Sequence, residues 1–249
     1  MEINQFYIAG KFITPDGKEV IELINPATEQ KVGHVVSGSV KDVNKAVTAA
    51  KHAFQDASAL SIEQKKTILQ EIIEGMDERR DEFAQIISEE MGAPIKVARG
   101  AQFSSGKVHF VNTLKVIDDF SFSEVHDNIT LNKLPIGPVG MITPWNWPLN
   151  QMCTKIASAI AAGTPFVLKP SEITPGAAHI FAKVVDKTSV PKGMFNLIHG
   201  YGATVGKAMS QHNDLEMISF TGSTRAGIDI QKTAADTIKR VSLELGGKS

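Results

Sequence analysis

Residues 139–148 read Val139-Gly140-Met141-Ile142-Thr143-Pro144-Trp145-Asn146-Trp147-Pro148, a short apolar run followed by a rigid polar turn. Four similar runs come after it, and a segment of helical periodicity separates each run from the next. Apolar strands that alternate with helices are typical of a parallel sheet with helices on both faces. The sequence therefore predicts an α/β fold with a doubly wound, Rossmann-like sheet of five parallel strands. These strands are expected at Val139–Ile142, Pro165–Lys169, Phe195–Ile198, Met217–Phe220 and Val241–Glu244.

The residues before this core are organised differently. Short strands at Tyr7–Ile13 and Glu19–Leu23 flank Pro15-Asp16-Gly17, which has the residues of a tight turn. Residues 118–137 return to an alternating, polar pattern, which predicts a β excursion that pairs with another part of the protein or with a neighbouring subunit. The sequence thus predicts three parts, namely strands and helices packed on the core (1–117), the β excursion (118–137) and the doubly wound core (138–249).

Helices are expected between the first strands and the β excursion. Ser39 and Asp42 form a capping box at the start of the first helix. Ser61 begins a longer helix, for which Gly92 is the stop signal. A third helical segment is expected from residue 95 to about residue 117.

The composition is that of an ordinary folded protein, with 42% hydrophobic and 21% charged residues. The 26 Lys and Arg residues balance 27 Asp and Glu residues, for a formal net charge of −1. This balance gives no general attraction to nucleic acids or anionic membranes, so neither partner is expected. One cysteine cannot form a disulfide, and the seven histidines show no metal-ligand spacing, so no metal site is expected. The N-terminus has no signal-peptide pattern, and the expected location is the cytoplasm.

Ligands of doubly wound sheets bind beyond the carboxyl ends of the strands, so the residues after each strand are the candidate site. After the first strand, two prolines and two tryptophans hold Asn146 in a stiff, apolar setting. An amide held in this way can donate to an oxygen that becomes negative during a reaction. The alternative is a proline-rich turn in which Asn146 bonds only to its own backbone.

The second strand is followed by Lys169-Pro170-Ser171-Glu172. An acidic side chain at this place can accept hydrogen bonds from the adenosine ribose of a dinucleotide, and it would repel a 2′-phosphate. Glu172 therefore favours NAD, while NADP stays open because Lys169 weakens the repulsion. The alternative is that both are ordinary, exposed loop residues.

Glycine-containing segments follow the third and fourth strands. Residues 200–206 nearly match the fingerprint G-x-G-x-x-G, but Val205 takes the place of its last glycine, so the match is weak. After the fourth strand, Gly222 permits a tight turn, and Ser223 and Thr224 begin a helix. The free amides at that helix end suit a pyrophosphate, although ordinary helix capping explains the same residues.

Two other features carry no function. Residues 246–249 are not a P-loop, because Ser242 stands where the first glycine is required. Cys153 lies among apolar residues at helical spacing and has no evident histidine partner. We expect it to be a small buried thiol that fills core space.

Taken in order, the motifs at the strand ends resemble those of the NAD(P)-dependent aldehyde dehydrogenase superfamily, in its N-terminal, cofactor-binding portion. The resemblance extends over essentially the whole chain, and it is carried by P-W-N-W-P at 144–148, K-P-S-E at 169–172, F-T-G-S-T at 220–224 and L-E-L-G-G-K-S at 243–249. It implies oxidation of an aldehyde to a carboxylic acid through a cysteine thiohemiacetal and thioester. The family's cysteine nucleophile belongs to a separate catalytic domain, which we expect to be absent from this chain, and Cys153 does not match it.

The resemblance also implies roles for individual residues. Asn146 is similar to the family's oxyanion donor, and Glu244 is similar to its general base, which favours hydrolysis of the acyl-enzyme over transfer to coenzyme A. The neighbourhood of Trp147, Gln151 and Met152 is expected to contact the substrate. The residues expected to bind the NAD cofactor are Ile142, Thr143, Pro144, Trp145, Lys169, Ser171, Glu172, Gly202, Gly206, Phe220, Thr221, Gly222, Ser223, Ala226, Leu245 and Gly246.

The implied partners are a small aldehyde and, through residues 118–133, further copies of the protein in a dimer or tetramer. Two other interpretations stay open. One is a catalytically inactive, NAD-binding fragment, and the other is an interaction protein of the same fold. A titration of the chain with NAD would separate binding from chemistry.

Overall fold

The computed structural model describes residues 1–247, so that Lys248 and Ser249 of the L-E-L-G-G-K-S motif lie outside the described residues. The strands are, in chain order, β1 (Glu2–Ile3), β2 (Phe6–Ile8), β3 (Lys11–Ile13), β4 (Val20–Ile24), β5 (Lys31–Val36), β6 (Ser123–His126), β7 (Ile129–Asn132), β8 (Val139–Ile142), β9 (Phe166–Lys169), β10 (Phe195–Leu197), β11 (Met217–Gly222) and β12 (Arg240–Leu245). The α-helices are α1 (Val40–Ser58), α2 (Ile62–Glu78), α3 (Arg80–Met91), α4 (Ile95–Val97), α5 (Phe103–Val116), α6 (Pro148–Ala162), α7 (Gly176–Val185), α8 (Lys207–Gln211) and α9 (Thr224–Ala235).

Seven of the strands form one mixed sheet in the order β12-β11-β8-β9-β10-β2-β3. The five strands from β8 to β12 pair in parallel, and one of the helices α6 to α9 lies between each strand and the next. The predicted α/β fold with its doubly wound parallel sheet is thereby confirmed. The sheet is larger than predicted, because β2 and β3 add an antiparallel hairpin beside β10.

Side chains alternate between the two faces of the sheet, and helices cover both faces. Met141 and Leu168 belong to a core shared with α2, α3, α5, α6 and α7. Their neighbours Ile142 and Val167 pack instead with α1, α8 and α9. Burial of each such side chain stabilises the folded state by about 1.5–3 kcal/mol. The strands are therefore held from both sides, and their ends are fixed in position.

The hairpin of β2 and β3 corrects the prediction of a single strand over Tyr7–Ile13. Ala9 and Gly10 have positive φ values of 54° and 74° and form a two-residue turn. Such turns suit hairpins because their twist matches that of the flanking strands. The side-chain oxygen of Asn196, on β10, accepts a 3.0 Å hydrogen bond from the Ala9 backbone N–H and so holds the turn against the sheet.

The segment around Pro15-Asp16-Gly17 also differs from the prediction. The strand expected after it is present as β4, but β4 pairs with β5 in a separate three-stranded sheet, β1-β5-β4. The turn is held to α1, because the Asp42 carboxylate accepts from the backbone N–H groups of Asp16 (2.8 Å) and Gly17 (3.1 Å). Asp42 also accepts from the Ser39 backbone N–H (2.8 Å), and the predicted capping box is confirmed.

The long helix predicted from Ser61 is broken once. The Ser61 hydroxyl caps α2 as predicted, but Arg79, with φ −109° and ψ 16°, separates α2 from α3. No glycine or proline marks this break, so the sequence pattern does not reveal it. The chain leaves α3 at Gly92, which has a φ of 78°. The predicted third helical segment is present as α4 and α5, joined by a π-helical turn at Ala98–Gln102.

The predicted β excursion is present as the antiparallel hairpin of β6 and β7. Its apolar side chains are exposed, including Val125 at 72% and Ile129 at 70%. Among residues 1–247, none of the helices combines the length and the apolar character that a membrane crossing requires.

Candidate active site

A cavity of about 950 Å³ opens at the carboxyl ends of the parallel strands. Ligands of doubly wound sheets bind at this edge, and the volume is typical of cofactor sites. Every residue predicted for catalysis or for the cofactor lines the cavity except Gly206, which faces Ile142 and Lys169. Of the residues expected near the substrate, Gln151 lines the cavity, and Trp147 and Met152 do not. The lining residues are Ile142, Thr143, Pro144, Trp145, Asn146, Gln151, Thr154, Lys155, Lys169, Ser171, Glu172, Gly202, Phe220, Thr221, Gly222, Ser223, Ala226, Glu244, Leu245 and Gly246.

Asn146 reaches the cavity from the turn between β8 and α6. Trp147 adopts the left-handed conformation (φ 54°, ψ 51°), which is rare for a bulky residue, and Pro148 begins α6. Thr174 ties the turn from outside, since its hydroxyl donates to the Trp145 carbonyl oxygen over 3.3 Å. A backbone conformation of this kind costs about 1–3 kcal/mol and persists only where its surroundings enforce it. The structure thus gives Asn146 a rigid setting, and its role as an oxyanion donor stays a prediction.

Lys169 is a buried cation at the end of β9, with 2% of its side chain exposed. Its ammonium donates to the carbonyl oxygens of Pro170 (2.8 Å) and Gly200 (2.7 Å) and to the Glu172 carboxylate (3.2 Å). Burial lowers the pKa of Lys169, and the negative charge of Glu172 opposes that shift. Lys169 is therefore not an exposed loop residue, whereas the Glu172 side chain is 30% exposed and reaches both the lysine and the cavity.

Glu244 lies opposite Thr221 in the parallel pair of β12 and β11, and both residues line the cavity. Two residues earlier on β11, the Ser219 hydroxyl accepts a 2.8 Å hydrogen bond from the ammonium of Lys155. Burial lowers the pKa of Lys155 to about 8, and the charge of Glu244 opposes that shift. The predicted base thus shares its part of the cavity with a second, partly buried cation.

Lys155 and Thr154 are lining residues that sequence reasoning missed. With Gln151 they occupy positions i, i+3 and i+4 of α6, which share one face of a helix. This polar face beside the apolar stripe of Cys153 is the signal that could have identified them. Gln151 lines the cavity as expected for a residue near the substrate, but Met152 does not, because the next position on a helix points about 100° away, into the core.

The start of α9 borders the cavity beside Gly222. The Ser223 hydroxyl accepts from the Ala226 backbone N–H over 3.3 Å, which confirms Ser223 as the cap of this helix. The helix has 12 residues, and its positive end lies at the cavity wall. A pyrophosphate at this end is consistent with the arrangement and stays a prediction.

Glycines at the cavity leave open space. A Cβ atom at Gly202 or Gly246 would meet no heavy atom of the described chain within 4 Å. Packing within the described residues does not require glycine at either position, so the space beside them is available to a ligand. With the buried lysine, the adjacent acid and the helix end, these open positions fit an extended dinucleotide such as NAD.

Cys153 is fully buried, and burial raises the pKa of its thiol well above the ordinary value, so it is unsuited to be a nucleophile. Within residues 1–247, no three side chains of His, Cys, Asp or Glu are grouped in a way that could hold a metal ion.

Comparisons with known proteins agree on one family. The sequence profile of the aldehyde dehydrogenase family matches residues 12–249. A 3-succinoylsemialdehyde-pyridine dehydrogenase of a Pseudomonas species is 43% identical over 249 residues, which are 100% of this chain and 52% of that protein. The chain spans about half the length of the curated relatives it matches.

Solved structures show the same likeness. An aldehyde dehydrogenase from Bartonella henselae is 45% identical, with a TM-score of 0.97 over 100% of this chain and 53% of its own. A mutant of aldehyde dehydrogenase C from Pseudomonas syringae, solved with NAD+ and octanal, is 46% identical, with a TM-score of 0.97 over 99% of this chain and 51% of its own.

Proposed function

The chain belongs to the aldehyde dehydrogenase family, and we propose that it builds the cofactor side of an enzyme that uses NAD to oxidise an aldehyde to a carboxylic acid. One observation carries the proposal: Asn146 and Glu244, which come from opposite ends of the core sequence, line the same cavity as the pair of Lys169 and Glu172. An amide, a carboxylate and a dinucleotide-type site are the groups that this oxidation uses in addition to its nucleophile.

We propose that the cofactor lies along the strand ends. Lys169 and Glu172 would bind a ribose, and the start of α9 at Ser223 would bind the pyrophosphate. The open space beside Gly202 would accept the adenine. When bound, NAD would supply the acceptor for the hydride that the aldehyde carbon gives up. The relative solved with NAD+ and octanal supports NAD as the cofactor by analogy.

Asn146 would hold the substrate oxygen. Its amide N–H groups donate to an oxygen that becomes negative when a nucleophile adds to the aldehyde carbon. Pro148 and the left-handed conformation of Trp147 restrict the backbone on one side of this donor. Loss of one such donor typically raises the activation free energy by about 3–4 kcal/mol, which slows the reaction on the order of 100- to 1000-fold.

Glu244 would take a proton from the water that releases the acid product. Its place opposite Thr221 puts the carboxylate at the cavity wall, near the Lys155 ammonium. The presence of this carboxylate supports hydrolysis, with a free acid as product. The nucleophile is not assigned to Cys153, because that thiol is buried in the core.

The hairpin of β6 and β7 would join copies of the protein. Its exposed apolar side chains include Val125, Ile129 and Leu131, and Leu134 just after it is 81% exposed. Apolar groups at this density on a projecting hairpin are typical of a surface that is covered by a partner. A homo-oligomer, dimer or tetramer, is the assembly we propose.

Two measurements test the function. Binding of NAD to this chain should quench the fluorescence of Trp145, which lines the cavity and is half exposed. In the native polypeptide that contains the chain, Glu244→Gln should keep NAD affinity but reduce aldehyde-dependent NADH production by about 100-fold or more. Full turnover in that variant would show that Glu244 is not the general base. Binding without any turnover in the native polypeptide would favour the inactive, NAD-binding alternative.

A further inference from the structure

Two lysines line the cavity among the residues that the structure describes, and their surroundings differ. Lys169 is held by three acceptors, which occupy all three of its N–H groups. Within residues 1–247, Lys155 has one acceptor, the Ser219 hydroxyl at 2.8 Å. Of the two amines, Lys155 is therefore the one that can turn towards a molecule in the cavity.

The position of Lys155 also favours its neutral form. The side chain is partly buried between α6 and β11, and burial lowers the pKa of its ammonium to about 8. At pH 7 such a lysine has on the order of 100 times more free amine than an ordinary lysine with a pKa near 10.4. Desolvated lysines of this kind are the usual nucleophiles towards carbonyl compounds.

From its place on the cavity wall beside Ser219 and Glu244, we propose that Lys155 is a site of reversible imine formation by the aldehydes that enter the cavity. This inference rests on the proposed function, because that function brings aldehydes to the site. The neutral amine adds to the carbonyl carbon to give a carbinolamine, which loses water to form the C=N bond. No oxidant or reductant is consumed, and hydrolysis restores both the lysine and the aldehyde.

The imine would slow the oxidation at high aldehyde concentration. It places an organic group beside Glu244 and removes the hydrogen bond from the Lys155 ammonium to Ser219. Water and substrate would then compete for less space at the proposed base. Excess aldehyde would thus inhibit the enzyme reversibly, without damage to the site.

The imine can be tested on this chain without any turnover. The chain is incubated with propanal and cyanoborohydride at pH 7, which converts an imine into a stable propyl-amine, and the modified lysines are located by peptide mass spectrometry. We expect Lys155 to be modified at least tenfold more than Lys187 and Lys207, which are exposed lysines outside the cavity. In Lys155→Arg, the peptide should lose the modification while the charge is kept.

Two results would overturn the proposal. One is equal modification of Lys155 and the exposed lysines in the folded chain, and the other is an excess at Lys155 that persists in urea. The NAD titration of the same sample separates this inference from the proposed function. If NAD binds and Lys155 is not preferred, only the imine site fails; if Lys155 is preferred and NAD does not bind, the proposed cofactor site fails.

Discussion

The Lys169 ammonium donates a 2.7 Å hydrogen bond to the carbonyl oxygen of Gly200, and this contact ties the end of β9 to the end of β10. The same ammonium holds Glu172, so that one buried charge fixes both the loop with the acid and the turn that leads to Gly202. A buried charge is tolerated only with such partners, because its desolvation is costly. The two sides of the proposed ribose site are thus positioned by one side chain.

Lys169→Met should weaken NAD binding to this chain. The substitution keeps the apolar stem but removes the charged donor that positions Glu172 and the Gly200 carbonyl. A charged donor of this kind contributes about 1.5–3 kcal/mol, so we expect the affinity to fall by about 10- to 100-fold. Isothermal titration calorimetry measures the change, and Lys187→Met, at an exposed lysine, is the matched control. Equal affinities of both variants for NAD would show that Lys169 does not take part in binding.

Glu172→Gln should change the preference between NAD and NADP. The carboxylate is expected to repel a 2′-phosphate, but solvent screens a side chain that is 30% exposed, so we estimate an effect of about 1 kcal/mol, or about fivefold. The ratio of the two dissociation constants, measured on wild type and variant, is the readout. Glu74→Gln, an exposed site on α2, should leave the ratio unchanged. A ratio that stays constant in Glu172→Gln as well would contradict the proposed ribose contact.

Glu90 has a buried carboxyl group, and one of its two oxygens accepts a hydrogen bond. It accepts a 2.9 Å hydrogen bond from the Gly176 backbone N–H at the start of α7, while its other oxygen has no partner in the described chain. Burial raises the pKa of Glu90 to about 8. The folded protein therefore keeps this proton at a pH where the unfolded chain has lost it.

The stability of the protein should fall as the pH rises from about 4.5 to about 8, because the folded state then binds more protons than the unfolded state. Glu90→Gln, which is neutral throughout, should remove this decline and be more stable than wild type at pH 9. Urea unfolding at several pH values measures the effect, with Glu78→Gln at an exposed position as the control. Parallel curves for wild type and Glu90→Gln would show that Glu90 is not a buried acid.

The hairpin of β6 and β7 should decide the oligomeric state. Val125→Asp places a charge in the centre of its exposed apolar surface, and burial of that charge in an interface costs far more than its exposure to water. Size-exclusion chromatography with light scattering on the native polypeptide should show smaller particles than wild type. Val40→Asp, at a 61% exposed valine on α1, should not change the size. An unchanged oligomer in Val125→Asp would show that the interface between copies lies elsewhere on the protein.

Much of the core could be predicted from local patterns. Each parallel strand is a short apolar run that ends in a polar or small residue, and its parallel direction follows from the alternation with helices. The strand order, in which β11 lies beside β8 and not beside β10, does not follow from that alternation. Parallel strands end at one edge of the sheet, and ligands bind at that edge. The sequence therefore also predicts that Asn146, Lys169 and Glu244 line one cavity. Their chemical roles remain predictions, which the experiments above address.

Contacts between distant residues could not be predicted. The pairing of Tyr7 with Leu197 adds the first hairpin to the sheet across almost 190 residues of sequence, and no local pattern encodes it. Lys155 was missed for a similar reason, because only the fold brings it to Ser219. The polar face that it shares with Gln151 and Thr154 indicates a side chain outside the helix's apolar stripe, but its low pKa arises from burial by other elements, which local spacing does not encode.

His179 and His199 form a buried pair close to Lys169. Their ring centroids lie 6.4 Å apart, and neither nitrogen of His199 has a hydrogen-bond partner in the described chain. Burial lowers the pKa of His199 well below its ordinary value, and the charges of His179 and Lys169 add to this effect. Burial likewise lowers the pKa of His179 to about 4, with Lys183 adding to the shift and Glu82 on α3 opposing it.

This pair should make the protein sensitive to acid. Above pH 6.5 both rings are neutral in the folded and unfolded states. As the pH falls towards 4, these histidines bind protons in the unfolded chain but not in the folded protein. The free energy of unfolding therefore decreases. His199→Leu should flatten this decline and raise the free energy of unfolding at pH 5 by about 2 kcal/mol relative to wild type. Urea unfolding between pH 7 and pH 4.5 is the measurement, and His52→Leu, on the exposed face of α1, is the control. If both variants lose stability as steeply as wild type, the acid sensitivity arises from other groups, and the pair of buried histidines has no part in it.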